Sequence, residues 1–334
     1  MEEKRNISID ILRATGILLI ILAHTVTSSE VITQLRSFDV PLMVFVSGIL
    51  SINSYKKEKN YFSYLKKRIV RLLVPTYVFL IVFFGMSAIV YSISNVDYPF
   101  TIKKIINTFL LLDGIGYVWI IRVYLLMAVI TPLVIKMKEK MNQYVFMTLL
   151  VVLYVIYELI YMMFGNANLL LTYVFYYIIP YACVLSLGMG ANKEENKKKN
   201  IVIIICSAVT FFISAFIVNL NQTDFVYTYL YKYPPRIYYL SYAILMSFLA
   251  LEITRKLKIK NEIIYNGISF VGKHSMWIYL WHILYLFIID WTMPTINEFA
   301  KFLLIVVFSV VTTYLQNKIV DTKKDCKMLN FLRG

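Results

Sequence analysis

Apolar runs of membrane-spanning length recur along almost the whole chain, and they limit what it can fold into more than any other feature. Ten such runs, 16 to 22 residues long, fall at 9–28, 39–54, 72–93, 117–136, 144–164, 169–190, 200–220, 237–254, 275–292 and 299–317. About 20 apolar residues at 1.5 Å each cross the hydrocarbon core of a bilayer, and a helix satisfies every backbone polar group without water. The expected fold is an all-α polytopic membrane protein of about ten transmembrane helices packed around a polar cavity. Composition agrees: 60% of the 334 residues are hydrophobic and 16% are charged. A soluble protein carries about 25% charge, which it needs to cover its core.

The second run is short and holds Pro41, Ser47 and Gly48. Those residues fit a helix inside the bundle, where small side chains let neighbouring helices approach, better than one facing lipid. The segment 100–113 is apolar but too short to span, which fits a surface or re-entrant position. Lys4 and Arg5 precede the first run in the manner of a signal peptide. Asp10 and Arg13 interrupt that run and no small-residue cleavage site follows, so a retained first span is expected. No internal repeat is evident. A single domain over 1–334, without an appended soluble domain, is the expectation.

The formal net charge of +15 is explained by the loops. With the N-terminus placed inside and ten crossings, 26 of the 34 Lys and Arg fall in inside segments and six in outside segments, while Arg13 and Arg122 lie within spans. Basic residues concentrate on the cytoplasmic side of membrane proteins, so the asymmetry predicts cytoplasmic N- and C-termini. It also explains the basicity with no nucleic-acid partner. Cys183, Cys206 and Cys326 have no metal-ligand spacing, and neither a disulfide nor a metal site is expected.

The first span carries Asp10, Arg13 and His24. At 100° per residue the three fall within about 60° of one another on one helix face. Arg13 and His24 are separated by roughly 16 Å along the axis. Two readings fit this stripe. One is an Asp–Arg pair reaching the interface with a hydrogen-bonded core histidine. The other is a functional polar path, since intramembrane charge normally faces a cavity or a partner. Downstream, "KKRIVRLLVPTY" (66–77) places Arg68 and Arg71 on one helix face. Basic runs of this kind are usually positive-inside anchors, and two guanidiniums at this spacing are also a grip for a phosphorylated ligand.

In order and spacing, these segments resemble the integral-membrane acyltransferase 3 family, which includes O-acetyltransferases of bacterial cell-surface polysaccharides. The matching residues are "IDILRATGILLIILAH" with Arg13 and His24, then "PLMVFVSGIL", then Arg68-x-x-Arg71 followed by Pro75. "GYVWIIRVYLLMAVITPLV" (116–134) is similar to the family's middle segment and "SMWIYLWHILYL" (275–286) to its late one. The chain has "MVFVSG" where family members often place two adjacent aromatics, and it lacks the periplasmic hydrolase-like domain of some members.

The resemblance implies a cytoplasmic acyl-CoA donor, usually acetyl-CoA, as co-substrate and a glycan or lipid-linked sugar hydroxyl as acceptor. The expected location is the plasma membrane of a bacterium. By position His24 matches the family's essential histidine, Arg13 its first-span arginine, and Arg68 with Arg71 its R-x-x-R. The chemistry fits these roles. A sugar hydroxyl needs a base to attack a thioester, and neutral imidazole suits that role near pH 7. His24 is thus the expected general base, with a transient acyl-histidine as the variant. Arg13 or Arg122 is placed to stabilise charge on the thioester oxygen. Asp10 would shape the donor mouth with Arg13. Arg68, Arg71 and the adjacent Lys67 would meet the phosphates of CoA.

Five further residues have a site role as one reading and a plain structural role as the other. His282 lines the site or makes a core hydrogen bond. Glu158 is an intramembrane carboxylate without a partner visible in the sequence. Arg122 is also an interface or packing candidate, and Trp119 and Tyr124 either stack on a sugar or belong to an aromatic belt. His274 is expected at the interface. Two rival functions remain open at this stage: a glycan or lipid exporter, and a non-catalytic partner within a polysaccharide-synthesis complex.

Overall fold

The computed structural model describes residues 6–322 other than 59, 95, 113, 166 and 167, together with residue 332. Lys4, Arg5, Cys326 and the tail's Lys323, Lys324, Lys327 and Arg333 lie outside the described residues. The described chain is helical throughout: α1 (Ile7–Thr25), α2 (Glu30–Arg36), α3 (Asp39–Lys56), α4 (Tyr61–Ile93), α5 (Ile102–Phe109), α6 (Trp119–Lys140), α7 (Gln143–Phe164), α8 (Tyr176–Gly188), α9 (Lys197–Asn219), α10 (Ile237–Lys256), α11 (Glu262–Lys273), α12 (Ser275–Thr292) and α13 (Glu298–Thr322). Short polar residues start many of them. Asn6, Ser29, Asn60, Thr101, Asn142 and Asn261 each accept a hydrogen bond from a free backbone N–H of the following first turn.

Among the described residues nine stretches are long and apolar enough to cross a membrane, α2 with α3 counting as one and a five-residue π-turn (Leu171–Phe175) with α8 as another. The tenth expected span, 275–292, is present as the 18-residue α12. It carries His282 and Asp290 and falls short in apolarity. The other expected spans differ mainly at their ends. α4 is the exception: it begins at Tyr61 rather than 72 and runs for 33 residues, roughly 50 Å, well beyond the hydrocarbon core. Its first turns carry the basic residues out past the apolar layer. The 100–113 segment forms the short α5, and two helices, α2 and α11, stand where loops were expected.

Helix α1 is central, packed against α3, α10, α11, α12 and α13. The outer helices α7, α9 and α13 bury few of their residues. On α9 the exposed surface includes Ile205, Val209, Phe212, Phe216 and Ile217, a face that only lipid would solvate well. The second span is the most deeply packed, as its small residues suggested. A Cβ on Gly48 would lie 2.2 Å from the Leu185 carbonyl oxygen, and one on Gly188 2.3 Å from that of Phe45. The two glycines thus let α3 and α8 touch backbone to backbone.

Candidate active site

Two cavities open at opposite ends of α1 and α3. The first, about 400 Å³, lies where α1, α3, α4, α6 and α12 meet. Among the described residues its charged lining consists of Arg13, Lys57, Arg68, Arg71 and Lys273, with no carboxylate. Five cations around one concavity form an unbalanced field that favours a polyanion. Arg68 donates to Ser54 Oγ at 2.8 Å and lies over the Tyr64 ring. Arg71 has no hydrogen-bond or ion-pair partner among the described residues, so its guanidinium is uncommitted. Two more donors in the lining, Tyr124 Oη and Trp277 Nε1, are buried without partners among the described residues.

The second cavity, about 180 Å³, holds His24 together with Arg36, Asp39, Trp119, Lys232 and Tyr233 among its lining. The two share Ile20, Ile120 and Tyr279, so they stand back to back across an apolar septum of three side chains. The first-span stripe therefore divides. Arg13 faces the first cavity and His24 the second. Asp10, 3% exposed, lines neither: its carboxylate accepts from Ser269 Oγ at 3.2 Å, against α11, where Gly272 lets the helices close up.

His24 lies edge-on to Tyr117, with centroids 4.8 Å apart, and stacks on His282 at 5.6 Å. His282 is fully buried and its Nδ1 faces the Tyr279 carbonyl. A carbonyl only accepts, so Nδ1 carries the proton and Nε2 is the acceptor nitrogen. That Nε2 has no partner among the described residues. The Tyr279 hydroxyl in turn donates to the Tyr117 carbonyl. Residues of the septum and the rings around His24 are thus one connected unit.

Other expected site residues lie elsewhere. Lys67 is exposed and paired to Glu58 beside the first cavity, not in it. The bonded Lys67 ammonium holds the Glu58 carboxyl below its usual range. Arg122 donates to the Leu111 carbonyl at 2.9 Å and lies over the rings of Tyr173 and Tyr177, away from both linings. Glu158 finds the partner the sequence did not reveal: Arg236 Nε at 2.5 Å, with Tyr154 Oη and the Ile237 N–H also donating to it. This ties α7 to the start of α10. Trp119 lines the second cavity and Tyr124 the first. His274, expected at an interface, is instead buried between α11 and α12, within hydrogen-bond reach of Asn317 on α13.

A family model described as an acyltransferase domain matches residues 6–316, nearly the whole chain. The chain belongs to the acyltransferase 3 family. Membership, with the nine candidate spans, makes it a multi-pass membrane acyltransferase. No curated protein and no solved structure matches the chain closely enough to count as a relative. Within the family framework, sequence reasoning passed over Lys57 and Lys273 as inside-loop charges, Arg36 and Lys232 as outside ones, and gave Asp39 no role. The nearest signal was Asp39 beside Pro41 at the head of an apolar run. Its partner Lys232 is 193 residues away, beyond any periodicity.

Proposed function

We propose that this protein is an O-acyltransferase that moves an acyl group, most simply acetyl, from cytoplasmic acyl-CoA to a hydroxyl of a cell-surface glycan or glycolipid. The observation that carries this is the pair of opposed cavities along α1, one lined by five cations and no carboxylate, the other by His24. The basic first cavity lies at the end where the positive-rich loops gather, so it faces the cytoplasm, and both termini do the same in a bacterial plasma membrane.

The first cavity fits CoA by its donor set. Arg68 and Arg71 hold the nucleotide phosphates through charge-assisted hydrogen bonds, and Lys57 and Lys273 add to the field at the rim. Arg13, deeper on α1, orients the thioester arm toward the septum of Ile20, Ile120 and Tyr279. His24 accepts the proton of the acceptor hydroxyl as the new C–O bond forms at the thioester carbonyl. As the C–S bond breaks, the protonated ring returns that proton to the leaving thiolate, giving CoA and the ester. His282 and Tyr117 fix the plane of the His24 ring and so act as positioning residues. Trp119 offers an aromatic face to the sugar.

The test compares surface glycans by mass spectrometry in wild type, a deletion, and His24→Ala expressed at matched membrane levels. Loss of acyl esters in both altered strains, with glycan length and export unchanged, is the expected outcome. Retained esters with glycan lost from the surface of the deletion would instead make the protein an exporter.

A further inference from the structure

The charged groups of the His24 cavity do not balance. Its lining holds two fixed cations, Arg36 and Lys232, and one carboxylate, Asp39. Asp39 is 1% exposed and already engaged. Its Oδ1 accepts from Lys232 Nζ at 2.7 Å and from the Val40 N–H at 2.7 Å. Only Oδ2 is left for Arg36, and that contact is long, 3.4 Å from Nη1. Burial by itself would lower the Lys232 ammonium, but the Asp39 carboxylate outweighs it and holds its pKa above the usual lysine value. The Lys232–Asp39 pair is therefore a settled ion pair, and the guanidinium of Arg36 is in surplus.

Arg36 also carries an orphan donor. Its Nε–H is buried and has no partner among the described residues. A buried charged donor left unmet is costly, and native proteins rarely keep one without a use. The site is also rigid. Gln34 Oε1 accepts from both the N–H and the hydroxyl of Thr228 at 2.9 and 2.8 Å, and Tyr239 and Tyr242 donate to the carbonyls of Ser37 and Leu35. These bonds lace α2 to the 228–233 loop and to α10, so the orphan is not a loop awaiting rearrangement. Trp119 and Tyr233 meet edge to face at 5.2 Å and form an aromatic wall. The unfilled polar group is a cationic donor, while the carboxylate oxygens that would accept from neutral hydroxyls are taken.

We propose that this cavity selects an acceptor sugar bearing an anionic substituent, a carboxylate or a phosphate, with Arg36 as the anion's partner and the aromatic wall against the ring. This rests on reading the His24 cavity as the acceptor site. The cavity is less than half the size of the donor cavity, so it takes one sugar residue and the rest of the acceptor stays outside.

The test measures binding without any acyl donor, so it does not depend on catalysis. Saturation-transfer NMR on the full chain in nanodiscs is recorded with methyl β-D-glucuronide, methyl β-D-glucoside 6-phosphate and neutral methyl β-D-glucoside. One or both charged probes should bind, about tenfold or more tightly than the neutral glucoside. Which of them binds distinguishes carboxylate from phosphate. Arg36→Gln should remove that preference and Arg36→Lys should restore part of it. Equal or stronger binding of the neutral glucoside, or no binding of either charged probe, overturns the proposal. The wild-type comparison alone decides if Arg36→Gln fails to fold. Charged-probe binding in a protein that transfers no acyl group would leave the anion site standing and refute the acyltransferase assignment instead.

Discussion

Replacing Arg71 by glutamine isolates one term of donor binding. Arg71 lines the cation-rich cavity and has no hydrogen-bond or ion-pair partner among the described residues, so its removal strands no carboxylate and breaks no tie between helices. A hydrogen bond to a charged group contributes about 1.5–3 kcal/mol, which is roughly ten- to 150-fold in a dissociation constant. The cavity mouth is open to solvent, so the lower end applies: about tenfold weaker CoA binding, with melting temperature unchanged. The assay is titration of CoA into the protein in nanodiscs at two salt concentrations, with dephospho-CoA alongside. Salt should weaken wild type more than Arg71→Gln, because one screened contact has been removed. Lys67→Ala is the control, since Lys67 is exposed and paired to Glu58 outside the cavity. It should change CoA affinity less than twofold. An Arg71→Gln protein that binds CoA as wild type does, or a Lys67→Ala protein that loses it, would refute the assignment of this cavity to the donor.

Other consequences follow from packing. Gly48→Ala forces a methyl into the backbone of α8 and should destabilise by about 1–3 kcal/mol, read as a lower melting temperature in detergent, whereas Gly85→Ala, which meets open space, should not. Ile120→Ala opens the septum between the cavities and should raise kcat/KM for butyryl-CoA relative to acetyl-CoA. An unchanged ratio would show that the acyl group does not cross there.

How much was legible in the sequence varies by length scale. Span-length apolar runs located the spanning helices, the start of α4 apart, to within a few residues, because lipid leaves the backbone little choice. The helical period put Arg13 and His24 on one face of α1, and the structure puts them in cavities on either side of one septum. Asp10 shares that angle yet turns to α11, an amphipathic helix too short to register as a span and therefore read as loop. The start of α4 was missed for a related reason: its first turns are charged, and a hydropathy reading ends where charge begins. Contacts across the chain were the least legible. Glu158 with Arg236 and Asp39 with Lys232 each pair a membrane-helix acid with a cation counted as an outer-loop charge. Nothing local links the partners, and only the fold brings them together.

In the proposed function, donor binding and proton transfer occupy separate cavities, with His24 acting only in the second. The most direct measurement follows CoA affinity and acetyl transfer together in wild type and His24→Gln, in nanodiscs, with surface glycan from a deletion strain as acceptor. CoA affinity should stay within about twofold of wild type and transfer should fall by about 10²–10⁴, the usual contribution of a general base. Transfer at the wild-type rate, or loss of CoA binding along with transfer, would contradict that proposal.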